Sequence, residues 1–225
     1  MPLRVRQTRT GGFTLVELLV VLAIVVVITS VVIGGENNFN KTFLLTNTTY
    51  DVALSYRAAQ SYGLSSQQYA GTNNAGYGIH LGTPPLTSYT LFSDISPDAA
   101  TMATRFGKPL TPLSRPGDGL YDPASNERVQ TYTLASGFTI QDYCGTDQTT
   151  GQVNCASLLP GGTPLSIDVV FTRPNEQPSI LASYGILLPV PLSKLCLVVR
   201  SPAGSTQYVS IYLSGEIATD THCLP

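Results

Sequence analysis

The side chains that could do chemistry in this chain are few and scattered. It has two histidines, His80 and His222, and no G-x-S-x-G turn of the kind that presents a nucleophilic serine. Asp118, Asp122 and Glu127 lie within ten residues of one another, and oxygen ligands at such spacing could hold Ca²⁺. The stretch does not follow the EF-hand pattern, and aspartate is a common turn residue. A metal site is therefore the weaker interpretation, and we expect neither enzymatic activity nor a cofactor.

The cysteines predict a chain that is exported. Cys144, Cys155, Cys196 and Cys223 form no C-x-x-C pair, and with only two histidines a zinc site is disfavoured. Four cysteines allow three pairings, of which the sequence-local one is Cys144–Cys155 with Cys196–Cys223. Disulfides require an oxidising compartment. The alternative is that the four thiols are free and buried.

One carboxylate stands inside an apolar segment. Phe13 to Ile33 spans 21 residues, which as a helix is long enough to cross a bilayer core of about 30 Å. The only charged residue in it is Glu17, one turn from its start. A carboxylate inside a membrane costs about 2.5–3.5 kcal/mol on insertion scales, so Glu17 requires a functional reason.

The residues before this segment determine how it would be inserted. Met1 to Gly12 is short and basic, as in a secretory signal peptide, but the apolar core exceeds the usual 7–15 residues and no A-x-A site follows. We therefore expect the helix to remain on the mature protein. By the positive-inside rule, Arg4, Arg6 and Arg9 stay in the cytoplasm, and the chain after Gly35 lies outside.

Composition argues against a nucleic-acid-binding role. Charged residues make up 12% of the chain and the pI is about 5.6. The net charge of −2 becomes −5 when the leader, with its three arginines, is removed. The basic surface expected of a DNA-binding protein is missing. The length of 225 residues suits one anchor helix and one globular domain.

The remainder of the chain predicts a long helix followed by strands. Gly34 and Gly35 each cost about 1 kcal/mol relative to alanine, so we expect a bend or melting point there. Apolar residues at helical spacing then resume, and a helix from Phe13 to Ser66 would be about 80 Å long. Pro97 to Asn126 is proline-rich and predicted to be irregular. The predicted strands are Tyr77–Leu81, Ser88–Ser93, Gln130–Leu134, Thr139–Tyr143, Leu165–Thr172, Leu195–Arg200, Gln207–Leu213 and Glu216–Ala218.

This order of elements predicts an α+β fold. A long N-terminal helix, membrane-spanning in its first half, packs its second half on a C-terminal antiparallel β-sheet. The expected divisions are a leader at 1–12, a transmembrane or filament-core helix at 13–35, a helical continuation at 36–70 and a β-rich domain at 71–225.

The start of the apolar run resembles a known processing signal. Gly12-Phe13-Thr14-Leu15-Val16-Glu17-Leu18-Leu19-Val20-Val21 is similar to the class III signal of type IV pilins and type II secretion pseudopilins. The resemblance implies cleavage after Gly12 by a prepilin peptidase, followed by N-methylation of Phe13. It also implies that Glu17 neutralises the Phe13 ammonium of a neighbouring subunit. The alternative is a glutamate that only faces the dipole of its own helix.

Four shorter stretches resemble the H-type minor pseudopilins and their minor-pilin relatives. In that group two β-sheets pack on the C-terminal half of the helix. The chain departs from major pilins, which often carry a proline where the membrane helix ends, because Gly34-Gly35 stands there. The stretches are Ala53-Leu54-Ser55-Tyr56-Arg57-Ala58-Ala59-Gln60-Ser61, Tyr77-Gly78-Ile79-His80, Val170-Phe171-Thr172-Arg173-Pro174 and Gly215-Glu216-Ile217.

The resemblance implies a structural subunit rather than an enzyme. It would be a single-pass protein of the inner membrane that joins an extracytoplasmic filament, with other pilins, the prepilin peptidase and an assembly platform as partners. The function expected is that of a minor pseudopilin in a type II secretion pseudopilus, and the alternative is a minor type IV pilin for adhesion, motility or DNA uptake. An anchored exoenzyme is a third possibility, which the missing active-site motif disfavours.

Overall fold

The computed structural model describes residues 12–65, 67–95, 117–156, 166–184, 189–220 and 222–223, with the side chains of 32–41 and 175–176 left aside. The leader arginines and most of the proline-rich stretch, 97–116, lie outside the described residues. The chain forms two compact units, 1–42 and 43–225.

One helix, α1, runs from Leu15 to Leu64 over 50 residues, close to the predicted Phe13–Ser66. Its backbone stays helical through Gly34 and Gly35, so the predicted melting point is not observed. Two glycine penalties of about 1 kcal/mol each do not outweigh the cooperativity of a helix that is already formed on both sides. Within the described residues, no helix is found that is long and apolar enough to span a membrane.

In the part of the chain that the structure describes, ten strands follow the helix, and the α+β prediction is confirmed. A 3₁₀ turn at Pro123–Ser125 precedes the third strand. The strands are β1 Gly76–Leu81, β2 Ser88–Asp94, β3 Arg128–Thr133, β4 Thr139–Asp147, β5 Val153–Cys155, β6 Ser166–Thr172, β7 Asn175–Ser183, β8 Val190–Arg200, β9 Thr206–Tyr212 and β10 Ile217–Asp220.

The strands form one antiparallel sheet in the order β10-β9-β8-β7-β6-β1-β2-β3, with β4 pairing β8 and β5 pairing β4. The sheet consists of two blocks of paired strands, and β8 takes part in both. Its first residues pair with β7, as Leu181 opposite Pro191 and Ala182 opposite Val190, and its remainder lies between β4 and β9. The resemblance implied two sheets, and the observed strands form two blocks that meet at the start of β8.

Two strands, β5 and β7, were not predicted. Strand β7 contains Pro178, which normally argues against a strand inside a sheet because proline lacks an N–H. The register of β6 against β7 shifts between Val170 and Thr172, so Pro178 falls where the ladder is already irregular. Strand β5 has only three residues, Val153–Cys155, too few for an alternation pattern to be recognised.

The second half of α1 buries the predicted stripe against the sheet. Val52, Tyr56 and Ala59 are fully buried, at the 3- to 4-residue spacing of one helix face. They join a core that includes Ile79 and Val169 from the centre of the sheet. Fully burying one such aliphatic side chain contributes about 1.5–3 kcal/mol, so this stripe fixes the helix on the sheet.

Gly63 marks the closest approach of helix and sheet. A Cβ atom built on Gly63 would overlap the carbonyl oxygen of Phe171 on β6. Only glycine lets the two backbones come so near.

We predict that Gly63→Ala lowers the free energy of unfolding by about 1–3 kcal/mol, because the added methyl displaces backbone. The sign is diagnostic, since helix propensity alone would make alanine more stable by about 1 kcal/mol. Urea unfolding followed by circular dichroism would measure the change. Gly82→Ala is the matched control, because its nearest neighbour would be Leu86 Cδ2 at 3.7 Å, and it should have little effect. Equal stabilities of both variants would contradict this account.

Candidate processing and assembly site

The helix begins two residues after the predicted cleavage position. Thr14 caps it: its carbonyl accepts the N–H of Glu17 at 3.1 Å and of Leu18 at 3.2 Å, and its Oγ1 accepts the Glu17 N–H at 3.3 Å. Thr14 and Glu17 have the spacing of a capping box, with Glu17 three residues into the helix. The sequence Thr-x-x-Glu therefore sets where α1 starts.

The peptide between Gly12 and Phe13 lies outside the helix and is accessible. Gly12 has no atom within 4 Å of the position where a Cβ would stand, and Phe13 is 83% exposed. Among the described residues, neither helical hydrogen bonds nor side chains cover this peptide.

Glu17 lies in the first turn of α1 and is exposed. At that position its negative charge interacts favourably with the partial positive charge of the helix N-terminus, by about 0.3–1 kcal/mol. The intrachain alternative is thus compatible with the geometry. His80 pairs with Asp168, at a place far along the chain from Glu17.

The start of α1 is apolar around its whole circumference. Every described residue from Gly12 to Val31 is exposed, including large side chains such as Leu18, Ile24 and Val31. The polar Thr29 hydroxyl is satisfied inside the helix, donating to the Val25 carbonyl at 2.7 Å. A helix that is hydrophobic on all sides belongs inside a larger assembly or in lipid.

Residues 8–33 match the family model described as the prokaryotic N-terminal methylation motif. The chain carries this motif. The match includes Gly12, Phe13 and Glu17, and it supports the type IV pilin and pseudopilin family, and with it a type IV pilin-like protein. The comparisons with curated proteins and with solved structures find no match. The H-type subgroup therefore stays a prediction.

The acidic loop uses its carboxylates to hold its own backbone. Asp122 Oδ1 accepts the Ala124 N–H at 2.9 Å and Oδ2 accepts the Ser125 hydroxyl at 2.8 Å, which caps the 3₁₀ turn. Asp118 accepts the Leu120 N–H at 2.9 Å. In the part of the chain that the structure describes, no cluster of three or more histidine, cysteine or acidic residues is arranged to hold a metal ion. These contacts are those of turn residues.

Glu127 connects that loop to the sheet. It is fully buried, its Oε1 accepts the Ile95 N–H at 3.1 Å and its Oε2 accepts the Asp122 N–H at 2.7 Å. The calcium candidates Asp118, Asp122 and Glu127 are thus neighbours in the loop, and each already accepts hydrogen bonds from the chain.

Sequence reasoning missed Asp94, the last residue of β2. It is 2% exposed and accepts the N–H groups of Asp118 at 3.0 Å and Gly119 at 2.9 Å. Burial raises the pKa of its carboxyl well above the ordinary value, and the charges of Asp118 and Glu127 raise it further. The sequence feature that could have indicated this contact is Gly117. Its φ of +98° and its lack of a side chain let the loop lie against Asp94.

His80, one of the two histidines of the chain, takes part in a cross-strand contact. His80 on β1 lies opposite Asp168 on β6, with Nδ1 2.7 Å from Oδ1, and its ring is 4.7 Å from that of Tyr121. Burial raises the pKa of Asp168, and the contact with His80 lowers it. Ser166 donates to Asp168 at 3.4 Å, whereas a catalytic serine bonds to the histidine.

The cysteines form two disulfides, Cys144–Cys155 and Cys196–Cys223, which close separations of 11 and 27 residues. This is the sequence-local pairing. Cys144 lies opposite Cys155 across β4 and β5, and also opposite Cys196 across β4 and β8. The pairing therefore could not be settled from strand neighbours alone. His222 is next to the second bridge.

We predict that Asp94 makes the protein less stable as the pH rises. Because its pKa is higher in the folded state, the folded chain binds more protons than the unfolded chain between the ordinary value of 3.8 and the raised value, so this contribution to stability falls through that range. The stability of wild type relative to Asp94→Asn should decline with rising pH, as measured by urea unfolding at a series of pH values.

Asp147→Asn is the control with the opposite sign. The N–H groups of Thr150 and Thr149 lower the pKa of Asp147, so its contribution is present above the ordinary value and is lost as the pH falls through the lowered one. A difference between wild type and Asp94→Asn that does not vary with pH would contradict the role given to Asp94.

Proposed function

We propose that the chain is a structural subunit of a type IV pilus-like filament, most specifically a minor pseudopilin of a type II secretion pseudopilus. A prepilin peptidase cleaves it between Gly12 and Phe13, Phe13 is N-methylated, and an assembly platform in the inner membrane inserts the subunit into the filament. The observation that carries this proposal is the methylation motif at residues 8–33 on a helix whose described start is exposed and apolar on all sides.

The apolar helix serves in turn as anchor and as filament core. Residues 13–35 hold the precursor in the inner membrane, with the leader inside and the β-rich part outside, as the leader arginines favour. In the filament the same side chains pack against the helices of neighbouring subunits, which removes them from both lipid and water.

Glu17 guides that packing. Cleavage creates an ammonium at Phe13, a charge that is unfavourable in an apolar environment. The Glu17 carboxylate of a neighbour neutralises it, so two costly buried charges become one pair, whose net value depends on good geometry. The exposed position of Glu17 one turn into the helix leaves its carboxylate accessible to such a partner. The pair fixes how far one subunit is displaced along the next.

The β-rich part is displayed at the filament surface. The proposed divisions are the leader 1–12, the core helix 13–35, the helical continuation 36–70 and the β domain 71–225. Strong packing of Val52, Tyr56 and Ala59 on the sheet supports a continuation that carries the domain.

We predict that Gly12→Leu leaves an uncleaved and unmethylated precursor in the membrane, because bulk next to the scissile bond hinders approach to the backbone. Intact-mass spectrometry of the purified protein distinguishes the precursor from the mature chain. Gly11→Leu places the same bulk one residue earlier and should still be processed. Normal processing of the Gly12 variant would end the cleavage proposal.

We predict that Glu17→Gln is processed normally but enters filaments about tenfold less well or worse, because an unpaired ammonium in an apolar core costs several kcal/mol. Glutamine keeps the size and can still act in the capping box, so a loss would reflect charge alone. Cosedimentation with sheared filaments from cells that also make the native partner subunits gives the measurement. Incorporation equal to wild type would leave only the helix-dipole role for Glu17.

A further inference from the structure

A cavity of about 540 Å³ lies between the second half of α1 and the strands β2 and β3. All of it belongs to the compact unit 43–225. The helix lines one side with residues at i, i+3 and i+4 spacing, and the two strands and the chain after β3 line the other. Its size falls within the range of small-ligand sites. The residues that define its chemistry are Asp51, Leu54, Ser55, Tyr89, Tyr132 and Leu134.

The cavity carries one uncompensated negative charge. Asp51 is exposed and is the acidic residue among those that line the cavity. Among the residues that line the cavity there is no lysine, arginine or histidine, and Asp51 belongs to no ion pair within the described part of the chain. An anion would be repelled here, whereas a cation would gain a partner.

Two neighbouring tyrosines supply the aromatic wall. The rings of Tyr89 and Tyr132 have centroids 5.3 Å apart and are tilted by 30°. Burial raises the pKa of Tyr89 to about 12, a side-chain hydrogen bond with Ser55 lowers it, and the charges of Tyr132 and Asp51 raise it further. Burial also raises the pKa of Tyr132, so both phenols keep their protons at neutral pH. Neutral tyrosine rings attract cations, by about 0.5–1 kcal/mol at exposed sites and about 2 when water is excluded.

The remaining lining includes an apolar part beside Thr48 and Thr133. Leu54 and Ala58 from the helix and Leu134 and Ala135 from beyond β3 face the same space. Such a surface suits the alkyl stem of an amphipathic group, as lysine and arginine side chains place their methylenes on apolar surface and their charge on polar atoms.

We propose that this cavity binds a cationic nitrogen group, a guanidinium or an ammonium, carried on a short alkyl stem. Asp51 pairs with the charge, the ring faces of Tyr89 and Tyr132 attract the cation, and Leu54 and Leu134 pack on the stem. The cation is part of a free small molecule or of an arginine or lysine side chain of a second copy of this chain. The site lies in the globular unit and does not depend on the filament role.

The test compares two probes of the same shape on the full-length chain in detergent. Butylguanidinium carries the charge, and butylurea is its neutral isostere. Saturation-transfer NMR titrations should give a dissociation constant for butylguanidinium about tenfold or more below that for butylurea, as expected for a charge-assisted hydrogen bond. Added salt should weaken the charged probe and leave the neutral one unchanged, because Asp51 is exposed and is screened.

Asp51→Asn should raise the dissociation constant of butylguanidinium about tenfold and should not affect that of butylurea. Tyr132→Leu should weaken the charged probe about threefold, the loss of one cation–π contact. Glu216→Gln removes an exposed carboxylate outside the cavity and is the control, with no change expected. A midpoint of thermal unfolding equal to that of wild type shows that each variant is folded.

The proposal is overturned if the wild-type chain does not bind butylguanidinium, if both probes bind equally, or if Asp51→Asn binds as wild type does. Sedimentation velocity distinguishes the two sources of the cation. Self-association that Asp51→Asn abolishes and butylguanidinium inhibits assigns the cation to a second copy. An unchanged monomer under all these conditions, together with probe binding, assigns it to a free small molecule.

Discussion

The first half of α1 cannot remain in contact with water, and this constraint governs the rest of the molecule. From Leu15 to Val31 the helix presents large apolar side chains on every side, and no part of the described chain covers them. The hydrophobic cost of such a surface grows with its area at about 25 cal/mol per Å². A lipid bilayer or a bundle of similar helices would remove that cost.

The second half of the same helix is amphipathic rather than apolar on all sides. It buries one stripe on the sheet and leaves the rest in solvent, as in an ordinary globular protein. Gly63 brings the helix backbone against Phe171, and the Asp51 side of the helix leaves a cavity beside β3. One element therefore supplies an apolar rod, the central packing of a domain and one wall of a candidate binding site.

Much of this architecture could be predicted from the sequence. The helix was predicted to within two residues at each end, and the eight predicted strands were found, because apolar periodicity and turn residues are local signals. Strand β7 was missed because Pro178 contradicts the local pattern, and only pairing with β6 overrides it. The melting expected at Gly34 and Gly35 does not occur, because the cooperativity of the helix on either side outweighs the local glycine penalty.

The candidate sites also differ in how far the sequence predicts them. The Gly12, Phe13 and Glu17 pattern is contiguous, so it could be recognised directly and is covered by the methylation motif. The contacts of Asp94 and of the Tyr89–Tyr132 pair depend on which segments become neighbours in the fold, and no spacing along the chain predicts that. The acidic loop offered ligands by composition, yet its oxygens are used by backbone N–H groups that only the folded loop brings near.

Three of the four cysteines lie in a single row across adjacent strands, with Cys144 on β4 between Cys155 on β5 and Cys196 on β8. The Cys144 thiol therefore has two cysteines as direct cross-strand neighbours. The wrong choice would leave Cys155 and Cys223 stranded, and Cys223 would be free to link to another molecule. The short β4–β5 hairpin places Cys155 opposite Cys144, and that pairing keeps Cys196 available for Cys223.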